Sequence, residues 1–271
     1  MPIPKLLLIL QAGILGLIFG SFLNVCVYRI PKKLSILGRS FCPKCAKPIP
    51  MYRNVPVLTY VLQGGKSACC KQPISARYPI IELLTGVISI VTLLHSQSLP
   101  QYFIWFILFM CPLIVVSMID FELKIIPDII SSPFILVGIA VSVYEKYPDW
   151  VLALKTSLLG VVLGGGFLLI LAEVMSRLLK KDAMGGGDIK LTAMLGAFLG
   201  WKPLLFVFFT SSVIALVYAI LSRIFVKSED RTIPFGPFLS MAAMIFWLYG
   251  EVLTDYYFFN MMKMPLNPFF D

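Results

Sequence analysis

Two aspartates, Asp120 and Asp188, stand at the edges of apolar segments, where a charged side chain is costly. Asp188 directly follows the three glycines 185–187, which let another backbone approach closely, whereas Asp120 ends an apolar segment and has no helix to cap. Two neighbouring carboxylates in a low-dielectric site share a proton, so that one activates a water while the other protonates or polarises a carbonyl. The two positions therefore predict hydrolysis at a scissile carbonyl by an aspartate pair, without metal or histidine.

The glycine run before Asp188 allows two further interpretations, which stay open at this point. The first is a flexible connector between two membrane helices, because glycine lacks a side chain to restrict the backbone. The second makes Asp188 the N-cap of the helix that follows, since aspartate is a preferred residue at that position.

The other ionisable residues near apolar segments have structural interpretations. Asp128 follows a proline at the start of an apolar segment, where the helix dipole favours an anion, and we interpret it mainly as a cap. Glu82 either pairs with a basic residue of the preceding loop or contacts a ligand. Glu173 and Arg177 are four residues apart and are predicted to pair on one helix face. The single histidine, His95, lies at the far end of its segment, which excludes most histidine-dependent catalysis.

The composition is that of a membrane protein. Hydrophobic residues make up 59% of the 271 residues and charged residues only 14%, well below the roughly 25% of soluble domains. The net charge of +9 would suggest nucleic-acid binding in a soluble chain. In a membrane protein it is explained by positive cytoplasmic loops, so no nucleic-acid partner is expected. The first apolar segment lacks a small-residue cleavage site and is predicted to be a retained span.

Apolar runs of about 20 residues predict the membrane helices. Seven are long enough to cross the lipid bilayer, at 6–28, 79–95, 101–119, 128–144, 151–176, 203–225 and 233–258. A shorter segment, about 188–201, is rich in small residues and is counted as an eighth, weaker helix inside the bundle. The predicted fold is an all-α polytopic membrane protein with about eight transmembrane helices and a small cytoplasmic domain. We divide it into a first transmembrane helix (1–30), a cysteine-rich, zinc-ribbon-like loop domain (31–77) and a transmembrane core (78–271).

Loop charge predicts the orientation. Residues 29–78 carry ten lysines and arginines and no acidic residue, which places this loop in the cytoplasm by the positive-inside rule. The connectors 120–127, 177–187 and 226–232 fall on the same side when eight segments cross, and each carries at least one lysine or arginine. Seven crossings would put the basic residues near 226–232 outside, which is why the short segment is counted. Both aspartates are then expected at the cytoplasmic border of the membrane.

Four cysteines of the cytoplasmic loop have the spacing of a metal site. Cys42 and Cys45 form a Cys-x-x-Cys knuckle, and a second pair, Cys69 and Cys70, follows about 25 residues later, as in a zinc ribbon. The reducing cytoplasm favours metal over a disulfide. The second knuckle departs from the pattern, because Ser67 stands where its first cysteine belongs and serine is a poor zinc ligand. Either the four cysteines bind structural zinc, or the ribbon is degenerate and stabilised by packing alone.

Several stretches of the sequence match one family in collinear order. Residues 185–188, Gly-Gly-Gly-Asp, match the Gly-x-Gly-Asp motif of the intramembrane aspartyl proteases. The surrounding matches, which cover almost the whole chain, are 20–25, 28–31, 54–56, 64–66, 77–79 with Glu82, 119–128, 187–191 and 233–237. By these motifs the chain resembles the bacterial type IV prepilin peptidases, which process proteins of type IV pili and type II secretion.

The resemblance implies an enzyme of the bacterial inner membrane with two activities. Its catalytic pair would be Asp120 and Asp188, while Asp128 matches a recurrent position that is not usually given the catalytic role. Such enzymes cut the short basic leader from prepilins and pseudopilins on the cytoplasmic side, just after a glycine. Many then methylate the new N-terminal amine, usually of phenylalanine, with S-adenosylmethionine. A four-cysteine zinc loop accompanies the bifunctional form, and Ser67 departs from its pattern.

The site of the methyl donor is not marked by a glycine-rich nucleotide loop of the usual soluble kind. Asn24, Glu82 and the turn 63–66 are the candidates that the sequence offers for it.

Two other function classes share parts of the pattern. Broken helices, glycines and buried carboxylates also mark the ion sites of a transporter or proton-coupled channel. Against that class, both aspartates are predicted at one membrane face and not at the midplane, and the sequence shows no internal repeat. A non-catalytic assembly factor that holds pilins is the third class, and it would tolerate the loss of either aspartate.

Overall fold

The computed structural model describes residues 3–180, 185–225 and 233–256. The α-helices are α1 (Ile3–Arg29), α2 (Leu58–Leu62), α3 (Arg77–His95), α4 (Leu99–Trp105), α5 (Cys111–Leu123), α6 (Asp128–Glu145), α7 (Trp150–Leu179), α8 (Gly186–Leu199), α9 (Lys202–Phe225) and α10 (Gly236–Tyr256). Each predicted apolar segment coincides with one of them or with the continuous helix that α4 and α5 form through a π-helical turn. The described residues contain only isolated β-bridges, so the all-α fold class is confirmed.

Six of these helices are long and apolar enough to cross a membrane: α1, α3, the continuous α4–α5 helix, α6, α7 and α9. Helix α8 has 14 residues. At about 1.5 Å per residue it falls short of the roughly 30 Å of a bilayer core. The apolar part of α10, Gly236–Gly250, is also shorter than a full span. The chain is thus a multi-pass membrane protein, while eight crossings stay a prediction. The basic residues of 181–184 and 226–232, on which the orientation partly depends, lie outside the described residues.

The chain divides into two compact units, residues 1–115 and 116–271. In the first unit, α1 lies along α3, and polar groups between the helices are paired. The hydroxyl of Ser89 donates to the carbonyl of Ala12 at 2.7 Å and lies 2.7 Å from the hydroxyl of Tyr102. Buried hydroxyls need such partners, and in apolar surroundings they join helices that have little hydrophobic reason to associate. The three-part division predicted from the sequence stays a prediction.

Helix α8 forms the centre of the second unit. Its residues 191–198 are all buried, against α6 on one side and α7 on the other. The backbones of α7 and α8 touch at Gly160 and Gly196, where a side chain on either residue would collide with the carbonyl oxygen of the other. One turn away, the hydroxyl of Thr192 lies 3.2 Å from the carbonyl of Gly164. Small residues at this spacing allow close helix packing in membranes, so the predicted position of α8 inside the bundle is confirmed.

Candidate active site

Asp120 lies near the end of α5 and is only 5% exposed. Its Oδ2 accepts a hydrogen bond from the backbone N–H of Gly236, at 2.9 Å. Gly236 is the first residue of α10, and the N–H groups of a first helical turn have no partner within their own helix. The sequence-based statement that Asp120 caps no helix is therefore wrong. It caps a helix that begins 116 residues later, and no local pattern could show this.

Asp188 lies in the first turn of α8, and its Oδ1 is buried without a hydrogen-bond partner among the described residues. The N-cap position of α8 belongs to Gly185, and no side chain caps the helix there, so the N-cap interpretation of Asp188 is wrong. The flexible-connector interpretation is wrong as well, because Gly186 and Gly187 are already helical. A buried carboxylate oxygen without a partner is costly, so its position calls for an explanation.

The two aspartates lie where the end of α5 and the connection after it meet the starts of α8 and α10. Their carboxylates are close enough for their charges to interact. Ile126, in the connection after α5, contacts the glycines beside both of them. A Cβ on Gly187 would lie 2.7 Å from the Cβ of Ile126, and a Cβ on Gly236 would lie 3.1 Å from its Cδ1. Sequence reasoning missed the roles of Ile126 and Gly236, although both lie within stretches that match the family.

Asp128 occupies the first turn of α6, as the dipole argument predicts, but it makes no capping hydrogen bond, and Pro127 holds the N-cap position. Its carboxylate pairs with the ammonium of Lys190 at 2.7 Å, between two half-exposed side chains. Lys190 belongs to the first turns of α8, so the ion pair joins the starts of α6 and α8. An exposed pair of this kind contributes about 0.2–1 kcal/mol.

This arrangement has the chemistry of a general acid–base pair. When two carboxyl groups lie near one scissile bond, one of them can accept a proton while the other donates one. Gly186, two residues before Asp188, has open space beside it as far as the structure describes the chain, since a Cβ there would meet none of the described residues within 4 Å. An extended peptide backbone can therefore approach the first turn of α8 from that side.

The four loop cysteines lie together. The sulfur atoms of Cys42, Cys45, Cys69 and Cys70 are all within 4.8 Å of one another. A tetrahedral zinc with bonds of about 2.3 Å to sulfur would hold its ligands about 3.8 Å apart. The sulfurs of Cys42 and Cys70 are 3.9 Å apart, and those of Cys45 and Cys69 are 3.1 Å apart. The cluster therefore fits a zinc ion with little movement.

The two halves of the loop are built alike, and the structure shows how Ser67 alters the second half. The N–H of Cys42 donates to the carbonyl of Lys47 at 2.9 Å, and the N–H of Ser67 donates to the carbonyl of Gln72 at 2.8 Å. Ser67 thus occupies the position of Cys42, as the sequence predicted. Its oxygen lies 3.1 Å from the sulfur of Cys69, which provides the fourth thiol one residue before Cys70.

The surroundings of Cys42 favour its thiolate, the form that binds metals. Burial alone would raise the pKa of this thiol. Hydrogen bonds from the hydroxyl of Ser67 and from the backbones of Cys45 and Lys44 outweigh burial and lower the pKa to about 6. Ser67 is therefore a poor ligand itself but supports a neighbouring one.

The candidates for the methyl-donor site lie in the first unit. Asn24 and Glu82 are buried, at 2% and 7% exposure. Glu82 is tied to the loop through its Oε2, which accepts the backbone N–H of Val57 at 2.7 Å, a contact that sequence reasoning missed. In the turn 63–66, two glycines have positive φ angles of 59° and 69°, which explains their residue type.

Fold and site together define a class, a multi-pass membrane protein with a buried carboxylate pair beside a glycine-rich helix start. The model of the type IV leader peptidase family matches residues 106–220, and that of the bacterial peptidase A24 N-terminal domain matches residues 14–96. The chain therefore belongs to the type IV leader peptidase family, and the resemblance inferred from its motifs is confirmed.

Relatives named prepilin leader peptidase/N-methyltransferase are similar along most of the chain. One from Neisseria gonorrhoeae is 34% identical, with 86% of this chain and 88% of the relative covered. One from Pseudomonas aeruginosa is 31% identical, with 90% and 91% covered, and one from Xanthomonas campestris pv. campestris is 32% identical, with 90% and 92% covered. No solved structure matches the chain.

The contact of Gly187 with Ile126 predicts that two adjacent glycines differ in their tolerance of a methyl group. Gly187→Ala should destabilise the protein by about 1–3 kcal/mol, because the new Cβ overpacks against Ile126. Gly186→Ala should be neutral or stabilising by up to about 1 kcal/mol, because its Cβ meets open space and alanine favours the helix. Thermal unfolding of both variants in detergent measures the difference, and equal melting temperatures would contradict the packing of Ile126 on Gly187.

The geometry of the loop predicts a dependence of metal content on Cys69. Mass spectrometry of the purified protein should find about one zinc ion per chain, and Cys69→Ala should lose most of it, because three ligands remain. The double variant Ser67→Cys/Cys69→Ala should regain zinc, because it restores a regular Cys-x-x-Cys knuckle with Cys70.

Cys26→Ala is the matched control, since it removes a buried cysteine of α1 outside the cluster. Wild-type zinc content in Cys69→Ala would show that Cys69 is not a ligand. A wild-type protein without zinc would favour the degenerate ribbon.

Proposed function

We propose that this protein cleaves the leader peptides of prepilins and pseudopilins, with Asp120 and Asp188 as the catalytic pair. The observation that carries the proposal is the Oδ1 of Asp188, which is buried without a partner among the described residues, together with the buried Asp120, which a backbone N–H holds. The names of the relatives support prepilins as the substrate class. The protein lies in the bacterial inner membrane, with the basic loop and the aspartates facing the cytoplasm.

The reaction needs only the two carboxyl groups and a water molecule. One carboxylate takes a proton from the water, whose oxygen forms a bond to the scissile carbonyl carbon while the protonated carboxyl group gives its proton to the carbonyl oxygen. Collapse of the tetrahedral intermediate breaks the C–N bond, and the amine leaves with a proton from the pair. Because the pair acts as a unit, neither aspartate is assigned the base.

We further propose that the protein methylates the amine that cleavage releases. S-adenosylmethionine would supply the methyl group as an electrophile on its sulfonium. The chain's own task is to bind the amine and the donor, to exclude water and to take up the proton that the nitrogen loses. Asn24 and Glu82 suit such binding because both are buried. Asn24 has an amide oxygen without a partner among the described residues, and Glu82 has a carboxyl group.

The cysteine loop would hold a structural zinc ion through Cys42, Cys45, Cys69 and Cys70. Structural zinc sites have four protein ligands and no open position, and this cluster offers four sulfurs. The metal would stabilise a loop that has few helical residues and takes no part in the chemistry of cleavage.

Cleavage of a purified prepilin in detergent or liposomes tests the aspartate pair. Asp120→Asn and Asp188→Asn should each lower the cleavage rate at least about hundredfold, because an amide cannot exchange the proton. Asparagine at position 120 still offers an oxygen to the N–H of Gly236, so this variant should keep its fold. Asp128→Asn should stay within about fivefold of wild type, because it loses only an exposed ion pair.

Thermal unfolding of the three variants controls for folding. Normal cleavage by either folded pair variant would contradict the proposed mechanism. Normal cleavage by both would make the aspartates an ion or docking site. A large loss of cleavage activity in Asp128→Asn alone would assign the catalytic role to the Asp128–Lys190 pair instead.

Mass spectrometry of the cleavage product tests methylation. With S-adenosylmethionine present, the mature product should gain one methyl group, and fragmentation should place it on the N-terminal nitrogen. The same reaction with S-adenosylhomocysteine is the control and should leave the mass unchanged. If the protein cleaves well but its product is not methylated, the protein has the peptidase activity and lacks the methyltransferase activity.

A further inference from the structure

Glu82 on α3 is a buried carboxyl group that the cleavage mechanism does not use. Its Oε2 accepts the backbone N–H of Val57 at 2.7 Å, and the hydroxyl of Ser21 on α1 also donates to the carboxyl group. Only 7% of the residue is exposed. A carboxyl group removed from water needs several donors, so its surroundings must be arranged for it.

The donor at Val57 is held by an unusual backbone. Val57 has φ 58° and ψ −49°, and the N–H of Leu58 donates to the carbonyl of Pro56, which makes a tight three-residue γ-turn. A β-branched residue in this region is a conformational outlier, and such outliers cluster at functional sites. Here the turn brings the N–H of Val57 to Glu82.

Asn24 adds an oxygen without a partner beside this carboxyl group. Its Nδ2 donates to the carbonyls of Gly20 and Tyr78, at 3.2 and 3.1 Å. The amide cannot be reversed, because that would place its oxygen against two carbonyls. Its Oδ1 is therefore fixed as an acceptor, is buried and has no partner among the described residues.

Asn24 and Glu82 both lie at the contact between α1 and α3. Asn24 is about one turn from Ser21 along α1, and Tyr78 is about one turn from Glu82 along α3. The cross-contacts of Ser21 with Glu82 and of Asn24 with Tyr78 therefore lie on successive turns of the same helix pair. This helix contact therefore contains two acceptors, a carboxyl group and an amide oxygen, on residues of successive turns.

We propose that Glu82 and Asn24 form a binding site for a protonated primary amine. An ammonium group brings up to three donors and a positive charge, which complements a buried carboxylate and an unpaired amide oxygen. This chemistry has two sources in the proposed reaction, the aminoacyl end of S-adenosylmethionine and the N-terminus of the cleaved peptide. The inference rests on the methyltransferase half of the proposed function and is independent of the aspartate pair.

The first test varies the ligand and uses the wild-type, full-length protein in detergent. Binding is measured by calorimetry for two pairs: S-adenosylhomocysteine and its deaminated form, and a mature pilin N-terminal peptide and its deaminated form. If the amine of one of these ligands occupies the site, that ligand should bind at least about tenfold more tightly than its deaminated form. The pair that shows the difference identifies the source of the amine. Equal affinities within both pairs would overturn the proposal.

The second test varies the protein and uses a matched neutral variant. Glu82→Gln should lose the preference for the ligand with the amine, while Glu173→Gln, which neutralises an exposed carboxylate of α7 paired with Arg177, should keep it. Thermal unfolding shows whether Glu82→Gln is folded. If it is not folded, the binding of the ligand pairs to the wild-type protein decides the proposal. A folded Glu82→Gln that keeps the full preference would overturn the proposal.

The methylation assay separates this inference from the proposed function. A wild-type protein that methylates its product but shows no preference in either pair would overturn the amine site and leave the function standing. A wild-type protein that cleaves but neither methylates nor binds these ligands would remove the methyltransferase activity and the amine site together, and leave the peptidase.

Discussion

The contact of two backbones, at Gly160 of α7 and Gly196 of α8, is the constraint on which the second unit depends. It lets a 14-residue helix lie among its neighbours with residues 191–198 fully buried. A helix of this length is shorter than a bilayer core, so close packing against its neighbours does most to position it. The first turn of α8, which carries Asp188, is positioned by the same packing.

The position of Asp120 depends on a second contact of this kind. Its hydrogen bond from the N–H of Gly236 ties the end of α5 to the start of α10, and the absence of a side chain on Gly236 leaves room for the carboxylate. Ile126 contacts the glycines beside both aspartates, so one apolar residue packs against the backbone next to each of them. The site is thus built at helix starts, where unpaired N–H groups favour anions.

The sequence alone predicted much of this arrangement, for physical reasons that differ from residue to residue. Hydropathy predicted every long helix, because apolar segments of this length have few other stable structures. The cost of a charge in an apolar segment singled out Asp120 and Asp188. The partner of Asp120 could not be predicted, since Gly236 is distant in sequence and a backbone donor leaves no pattern. The cap interpretation of Asp128 and the N-cap alternative for Asp188 were wrong, because the N-cap positions of α6 and α8 lie one and three residues earlier, at Pro127 and Gly185.

The cysteine loop also shows what residue spacing can and cannot predict. Spacing predicted that Ser67 stands where the first cysteine of the second knuckle belongs, and the matching turns at Cys42 and Ser67 confirm that their positions correspond. Cys69 does not have that position in the spacing. The fold nevertheless brings its sulfur within 4.8 Å of the other three, so the loop can supply four thiols from an irregular motif.

The buried carboxyl groups of the two units have different surroundings, and the difference suits two successive reactions. In the second unit, the Oδ1 of Asp188 has no partner among the described residues and Asp120 is held by the N–H of Gly236. In the first unit, Glu82 is held by the N–H of Val57, and the Oδ1 of Asn24 has no partner within the part of the chain that the structure describes. In the function proposed above, peptide cleavage creates the amine that is then methylated. A protein with both activities would use the aspartate pair to cut and the acceptors of the first unit to bind an amine.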